Sequence, residues 1–154
     1  MADHTDLYAC ARAWSALTAA HALITERLGT ALTRACGLSI NEFEVLLRLE
    51  QAEPPELRPA DLLPAVRLTQ PSLSRMIIRL EQQGLLRREP DPADGRGVLV
   101  AITDAGRELF RRAVPVHSRT IQDALLDQLS PAEHDSLTAM LDRIATPPDQ
   151  RKGS

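Results

Sequence analysis

The sequence predicts a mainly α fold carrying one small β-hairpin, and three observations lead there. Apolar residues recur at helical spacing through most of the 154 residues. Aromatic residues make up only 3%, so the core must be built from Leu, Ile, Val and Ala, which favours packed helices over a sheet sandwich. One stretch, residues 85–102, changes to strand-like alternation around a turn rich in Pro, Asp and Gly. The length suits a single domain, and 44% hydrophobic with 25% charged residues is the composition of a soluble globular chain.

The first helix is expected over residues 5–35. This stretch lacks proline, and Leu7, Cys10, Trp14, Leu17, His21, Ile24, Leu28, Ala31 and Ala35 recur in steps of three and four, the seam of a long helix packed against others. Such a seam is longer than a small domain usually covers by itself, so a second chain is a natural partner. Gly37 ends it. Asn41, three residues before Glu44, resembles a capping box, and Phe43, Leu46, Leu47 and Leu49 make the next helix apolar on one side until Pro54 and Pro55. A short helical segment is expected around residues 59–66, with Pro64 inside it as an interruption.

The following helix has clear punctuation. Thr69 can cap it, Gln70 and Pro71 occupy its first turn, and Gly84 provides a left-handed stop. Leu73, Met76, Ile77 and Leu80 fall on one side; Pro71, Arg75, Ile78, Arg79 and Gln82 lie opposite, with Ser72 and Ser74 on the flanks. A strand over residues 85–89, turn chemistry over 90–95 and alternation of Val98, Val100 and Ile102 give a hairpin with an arginine at its tip. Thr103 caps a helix expected over about 104–128, kinked at Pro115. Ser130, Pro131 and Glu133 open a last helix to about residue 144, and residues 147–154 read as a flexible tail.

Two short helices, a capped helix with an arginine and hydroxyl face, and a hairpin form a winged helix-turn-helix, a shape that fits an α-helix into the DNA major groove. Arg75 and Arg79 stand one turn apart, each suited to a bidentate contact with guanine. Arg96 can reach an adjacent minor groove, and Thr69, Ser72 and Ser74 are candidate phosphate donors. An outward face of Arg, Ser and Gln is ordinarily only solvated surface, and the net charge of -3 argues against a polyanionic partner. By segment the balance differs: residues 67–96 hold six arginines against four acids, and the excess acidity lies elsewhere.

Several linked motifs in this region resemble the MarR (multiple antibiotic resistance regulator) family of bacterial transcription factors. They are the TQPSLSR run at Thr69 to Arg75, LEQQGL at Leu80 to Leu85, DPADGR at Asp91 to Arg96, and TDAG at Thr103 to Gly106. The resemblance implies a homodimer in which N- and C-terminal helices interlock and two winged helices read a pseudo-palindromic operator. Its domain plan would be one unit over residues 1–146, with dimerisation helices at about 5–35 and 104–145 and a DNA-binding lobe at about 41–103. Carried over, the DNA contacts are Thr69, Gln70, Pro71, Ser72, Ser74, Arg75 and Arg79, with Arg96 in the wing steadied by Asp94. Two departures stand out: Pro64 before the recognition helix, and a PPELRP stretch at residues 54–59 richer in proline than the family pattern.

The family resemblance further implies repression as the commoner mode and release by a small, often phenolic or anionic ligand held between the dimerisation helices and the DNA-binding lobe. Arg12, Trp14, His21, Arg48 and His117 are the candidates to meet it. An alternative is oxidation sensing through Cys10; another is a winged helix that binds protein and not DNA. Cys10 and Cys36 have neither metal-ligand spacing nor the density of a disulfide scaffold. No nucleophile constellation, phosphate loop or metal-ligand pair points to an enzyme, a cofactor or a metal. No membrane span or secretory signal is visible, which predicts a cytoplasmic protein.

Overall fold

A computed structural model describes residues 4–94 and 97–146, with side chains from residue 8 onward. The wing arginine Arg96 and the expected tail at 147–154 therefore lie outside the described residues. The elements are α1 (His4–Cys36), α2 (Ile40–Glu50), α3 (Pro59–Leu62), α4 (Gln70–Gln82), β1 (Leu86–Pro90), β2 (Val98–Ile102), α5 (Asp104–Ala124) and α6 (Pro131–Ala145). Single 3-10 turns follow α3 at Leu63–Ala65 and α5 at Leu126–Gln128. The mainly helical fold with one antiparallel hairpin is as the sequence predicts.

One core lies under the second, third and fourth helices and the hairpin. Leu46, Leu49, Leu62, Leu73, Leu80 and Val100 are completely buried there, and Leu32 of α1 and Ala113 of α5 close it from the other side. The two long helices α1 and α5 pack along one another. Only the second half of α1 is covered: Leu28 and Leu32 are buried, whereas residues 8–23 are all exposed. α6 opens with the expected capping box, the Ser130 N–H donating to the Glu133 carboxylate at 2.8 Å. It buries none of its residues.

Three local expectations are corrected. The cap of α2 is Ser39, not Asn41: the Ser39 hydroxyl accepts from the Glu42 N–H at 3.3 Å, and Glu42 reaches back to the Ser39 N–H at 2.7 Å. The earlier start places Phe43, Leu46 and Leu49 on the buried side. Pro64 does not break the segment before α4, because the chain switches to a 3-10 turn in which a proline near the start has no N–H bond to lose. Thr69 occupies the N-cap position of α4 with extended backbone, yet its hydroxyl bonds the Ser72 hydroxyl at 3.0 Å and leaves the helix N–H groups uncapped.

The proline-rich departure at 54–59 has a structural role. Leu57 pairs with Val100 of β2 through reciprocal backbone bonds of 2.9 and 2.8 Å, an isolated bridge that holds this segment against the edge of the hairpin. Prolines suit such an edge, where few N–H groups are needed for pairing.

The joints around the recognition helix are tight. Gly84 stands at φ +73°, the left-handed conformation that favours glycine, and α4 closes with Leu85 N–H to Leu80 C=O at 2.9 Å. The Thr103 hydroxyl donates to the Gly84 carbonyl at 2.7 Å and accepts from the Gly106 N–H at 3.1 Å, capping α5 onto the end of the recognition helix. Gly106 then lies so near Leu85 that a Cβ would stand 2.2 Å from the Leu85 carbonyl oxygen.

Candidate nucleic-acid interface

The outward face of α4 forms as its periodicity dictates. Leu73, Met76, Ile77 and Leu80 are buried, which fixes Gln70, Pro71, Ser74, Arg75 and Arg79 outward, with Ser72 half-buried. Arg75 bonds only the Ser72 hydroxyl, at 3.3 Å, and has no acidic partner among the described residues. The neighbouring arginines differ. Arg79 is paired with Glu42 of α2 at 2.5 Å, Arg88 with Glu81 at 2.6 Å, and Arg87 with Glu89 at 2.6 Å and Glu56 at 3.3 Å. Three of the six arginines counted in residues 67–96 are thus paired with acids, while Arg67 and Arg75 have no acidic partner among the described residues, and on α4 that leaves Arg75.

Glu42 was not among the candidate residues, although the Ser-x-x-Glu spacing that makes it a cap is present in the sequence. Burial pushes its carboxyl upward, but bonds from the Ser39 N–H, Arg79 and the Ser39 hydroxyl outweigh this and hold it below the usual carboxylate range.

The wing is closed at its base by Asp91, also unanticipated. Its backbone N–H donates to the Gly97 carbonyl at 3.0 Å, and its buried carboxylate accepts from the Ala93 N–H at 2.8 Å and Arg58 Nε at 2.7 Å. The Ala93 bond and then the Arg58 guanidinium hold this carboxyl low against the effect of burial. Asp94, expected to steady Arg96, is exposed, and its carbonyl accepts from the Gly97 N–H at 2.7 Å.

The five effector candidates separate. Trp14 and His21 line an open cleft of about 330 Å³ with Leu17, Thr18 and Arg67, and an adjoining hollow shares His21 and Arg67 and is bounded by Asn41 and Glu44. Arg67, just ahead of α4, was missed as a lining residue and carries no acidic partner among the described residues. Arg12 faces another shallow depression with Ala9, Ala13 and Ala16, and Arg48 is exposed on α2. His117 stacks on Phe43 with ring centroids 4.4 Å apart, a packing role. Cys10 is exposed and Cys36 half-buried, neither in a disulfide. Among the described residues there is no group of three or more His, Cys, Asp or Glu able to hold a metal ion, and no helix is long and apolar enough to cross a membrane.

Burial lowers the His117 pKa below 6.5, with Glu44 opposing. The unfolded chain then takes up a proton that the folded chain refuses, so this residue's contribution is full above pH 6.5 and is lost as pH falls through the folded value. Wild type is expected to lose thermal stability relative to His117→Phe as pH falls from about 7 to below 6.5. Parallel melting curves across that range would remove the histidine from the balance.

A helix packed on one side and projecting from the other an arginine with no acidic partner among the described residues, braced by two helices and flanked by a hairpin, defines a winged helix-turn-helix protein of the kind that regulators use. The chain belongs to the MarR family: residues 38–98 match that family. It is 34% identical over 108 residues to the transcriptional regulator PecS of Dickeya dadantii, covering 70% of this chain and 64% of PecS, so the match spans less than two thirds of that relative. Among solved structures, Sco3205, a MarR family regulator of Streptomyces coelicolor determined in complex with DNA, is 30% identical with a TM-score of 0.80, covering 89% of this chain and 91% of that one. BpsR of Bordetella bronchiseptica, whose DNA binding is regulated by 6-hydroxynicotinic acid, is 26% identical with a TM-score of 0.75 over 86% and 92% of the two chains. PecS and Sco3205 are named as transcriptional regulators, the class that the sequence reading expects in place of an enzyme.

Proposed function

We propose that the protein is a sequence-specific, DNA-binding transcriptional repressor of the bacterial cytoplasm, acting as a homodimer on a pseudo-palindromic operator. The observation that carries this reading is Arg75, presented without an acidic partner among the described residues on the outward face of a helix whose other side is packed. In it Thr69, Gln70, Pro71, Ser72, Ser74 and Arg75 meet the major groove and its phosphates, and Arg96 with Asp94 serves the wing. The DNA complex of Sco3205 supports the same use of the fold.

A dimer is supported by what one chain leaves uncovered. α6 buries nothing, while Met140, Leu141 and Ile144 of α6 and Tyr8, Trp14, Leu17 and Leu23 of α1 are exposed. A 15-residue helix is marginal in water without tertiary packing. The unit proposed is one domain over 1–146, with dimerisation helices at 5–35 and 104–145 around a lobe at 41–103 and a tail beyond. For the releasing ligand, the cleft at Trp14, His21 and Arg67 suits an aromatic acid, the indole supplying a stacking face and the guanidinium a carboxylate partner. The exposed Cys10 leaves a redox input as a second reading, and its test is the same binding assay after peroxide.

The experiment is selection of duplexes from a random-sequence pool, followed by titration against salt. Expected are an inverted repeat bound by two protomers, an affinity that falls steeply with salt, and release by 6-hydroxynicotinic acid or a related aromatic acid. Retention of no duplex would leave the protein-binding alternative.

A further inference from the structure

Arg75 and Arg79 sit one turn apart on the same face of α4, yet their surroundings assign them different work. Arg79 NH2 meets Glu42 Oε1 at 2.5 Å, while Glu42 Oε2 accepts from the Ser39 N–H at 2.7 Å and the Ser39 hydroxyl at 2.8 Å. Both oxygens of this carboxylate are engaged, one in the cap of α2 and the other on the recognition helix. Its side chain is 8% exposed, that of Arg79 55%. Giving this NH2 to a DNA phosphate would leave Glu42 Oε1 charged and unpaired in the protein, a strongly unfavourable exchange. Among the described residues this is also the one hydrogen bond joining α2 to α4.

We propose that Arg79 is a positioning residue that acts through Glu42 to set the angle of the recognition helix on α2, and that it contacts neither base nor phosphate. The proposal rests on the DNA-binding reading and reassigns one residue within it. Base-edge contacts tolerate displacements of only about 0.5 Å and 10–20°, so the side chains that fix a helix govern discrimination as strongly as those that touch the bases. The charge-assisted bond is directional, and it ties α4 to the capped end of α2, itself held by the buried Leu38 and Phe43.

The test uses the full chain with two duplexes: one selected by the wild type from a random pool, and a scrambled version of it. Arg79→Ala and Glu42→Gln are each expected to weaken binding to the selected duplex by about tenfold while leaving the scrambled duplex unchanged, and the double variant should be no worse than Arg79→Ala alone. Loss of folded protein would lower both duplexes together, so their ratio separates positioning from stability. The slope of log affinity against log salt should stay at the wild-type value in Arg79→Ala. A slope smaller by about one unit on both duplexes would make Arg79 a phosphate contact and overturn the proposal. Additive losses in the double variant, or tighter binding of both duplexes by Glu42→Gln, would overturn it equally. Should Glu42→Gln not fold, Arg79→Gln and Arg79→Ala carry the same slope and ratio comparison. A wild type that selects no duplex would instead refute DNA binding itself.

Discussion

Replacing Gly106 with alanine is expected to lower the stability of the folded chain by about 3 kcal/mol, although the same change in an ordinary helix raises it by about 0.5–1 kcal/mol. The added Cβ would meet the Leu85 carbonyl oxygen at 2.2 Å and Ile102 Cγ1 at 2.8 Å. The carbonyl is backbone and cannot rotate away, because it accepts from the Thr103 N–H at 3.1 Å. Relief would require α5 to separate from the strand that follows the recognition helix, undoing the Thr103 cap. In urea the variant should unfold at lower concentration with an unchanged m value. An equal or higher midpoint would show that the joint is looser than these distances describe.

Arg75→Ala should have the opposite profile, with no loss of stability and a large loss of selective binding. The side chain is exposed and its single bond is 3.3 Å to the Ser72 hydroxyl, so its removal leaves no buried group unpaired. A bidentate guanidinium contact to a base is worth about 1–3 kcal/mol of discrimination, or roughly ten- to a hundredfold for the selected duplex over a scrambled one. Fluorescence anisotropy on the two duplexes reads this directly. Equal affinities for wild type and variant would remove Arg75 from the contact set and with it the observation on which the functional reading stands.

What could be read in the sequence was local. The apolar side of α4, the left-handed stop at Gly84, the Thr103 cap and the Ser130–Glu133 box each depend on residues within one or two turns, and each appears where the pattern places it. The cap of α2 was read as Asn41, but Ser39 precedes a glutamate by the same three residues, and its bonds with Glu42 make it the cap. Ion pairs across the fold left no such trace. Glu42 and Arg79 are 37 residues apart and Arg58 and Asp91 are 33 apart, and no periodicity relates them. The charge count for residues 67–96 could not show this pairing: Glu42 and Glu56, which pair with Arg79 and Arg87, belong to other segments. Leu57, between prolines, gave no strand signal, yet it pairs with Val100.

Only Thr103 separates the end of β2 from the start of α5, whose 21 residues run from the wing to the layer shared with α1. At about 1.5 Å per residue the helix is a rod of about 30 Å that continues through Pro115, where a kink was expected, and its first turn is joined by Thr103 to the lobe that carries α4. Such a rod is a lever: tilting it by about 5° carries its tip through about 3 Å, as long as a hydrogen bond itself. A shift of about 3 Å at the α1 end of this helix therefore corresponds to a turn of only about 5° at the lobe that carries α4.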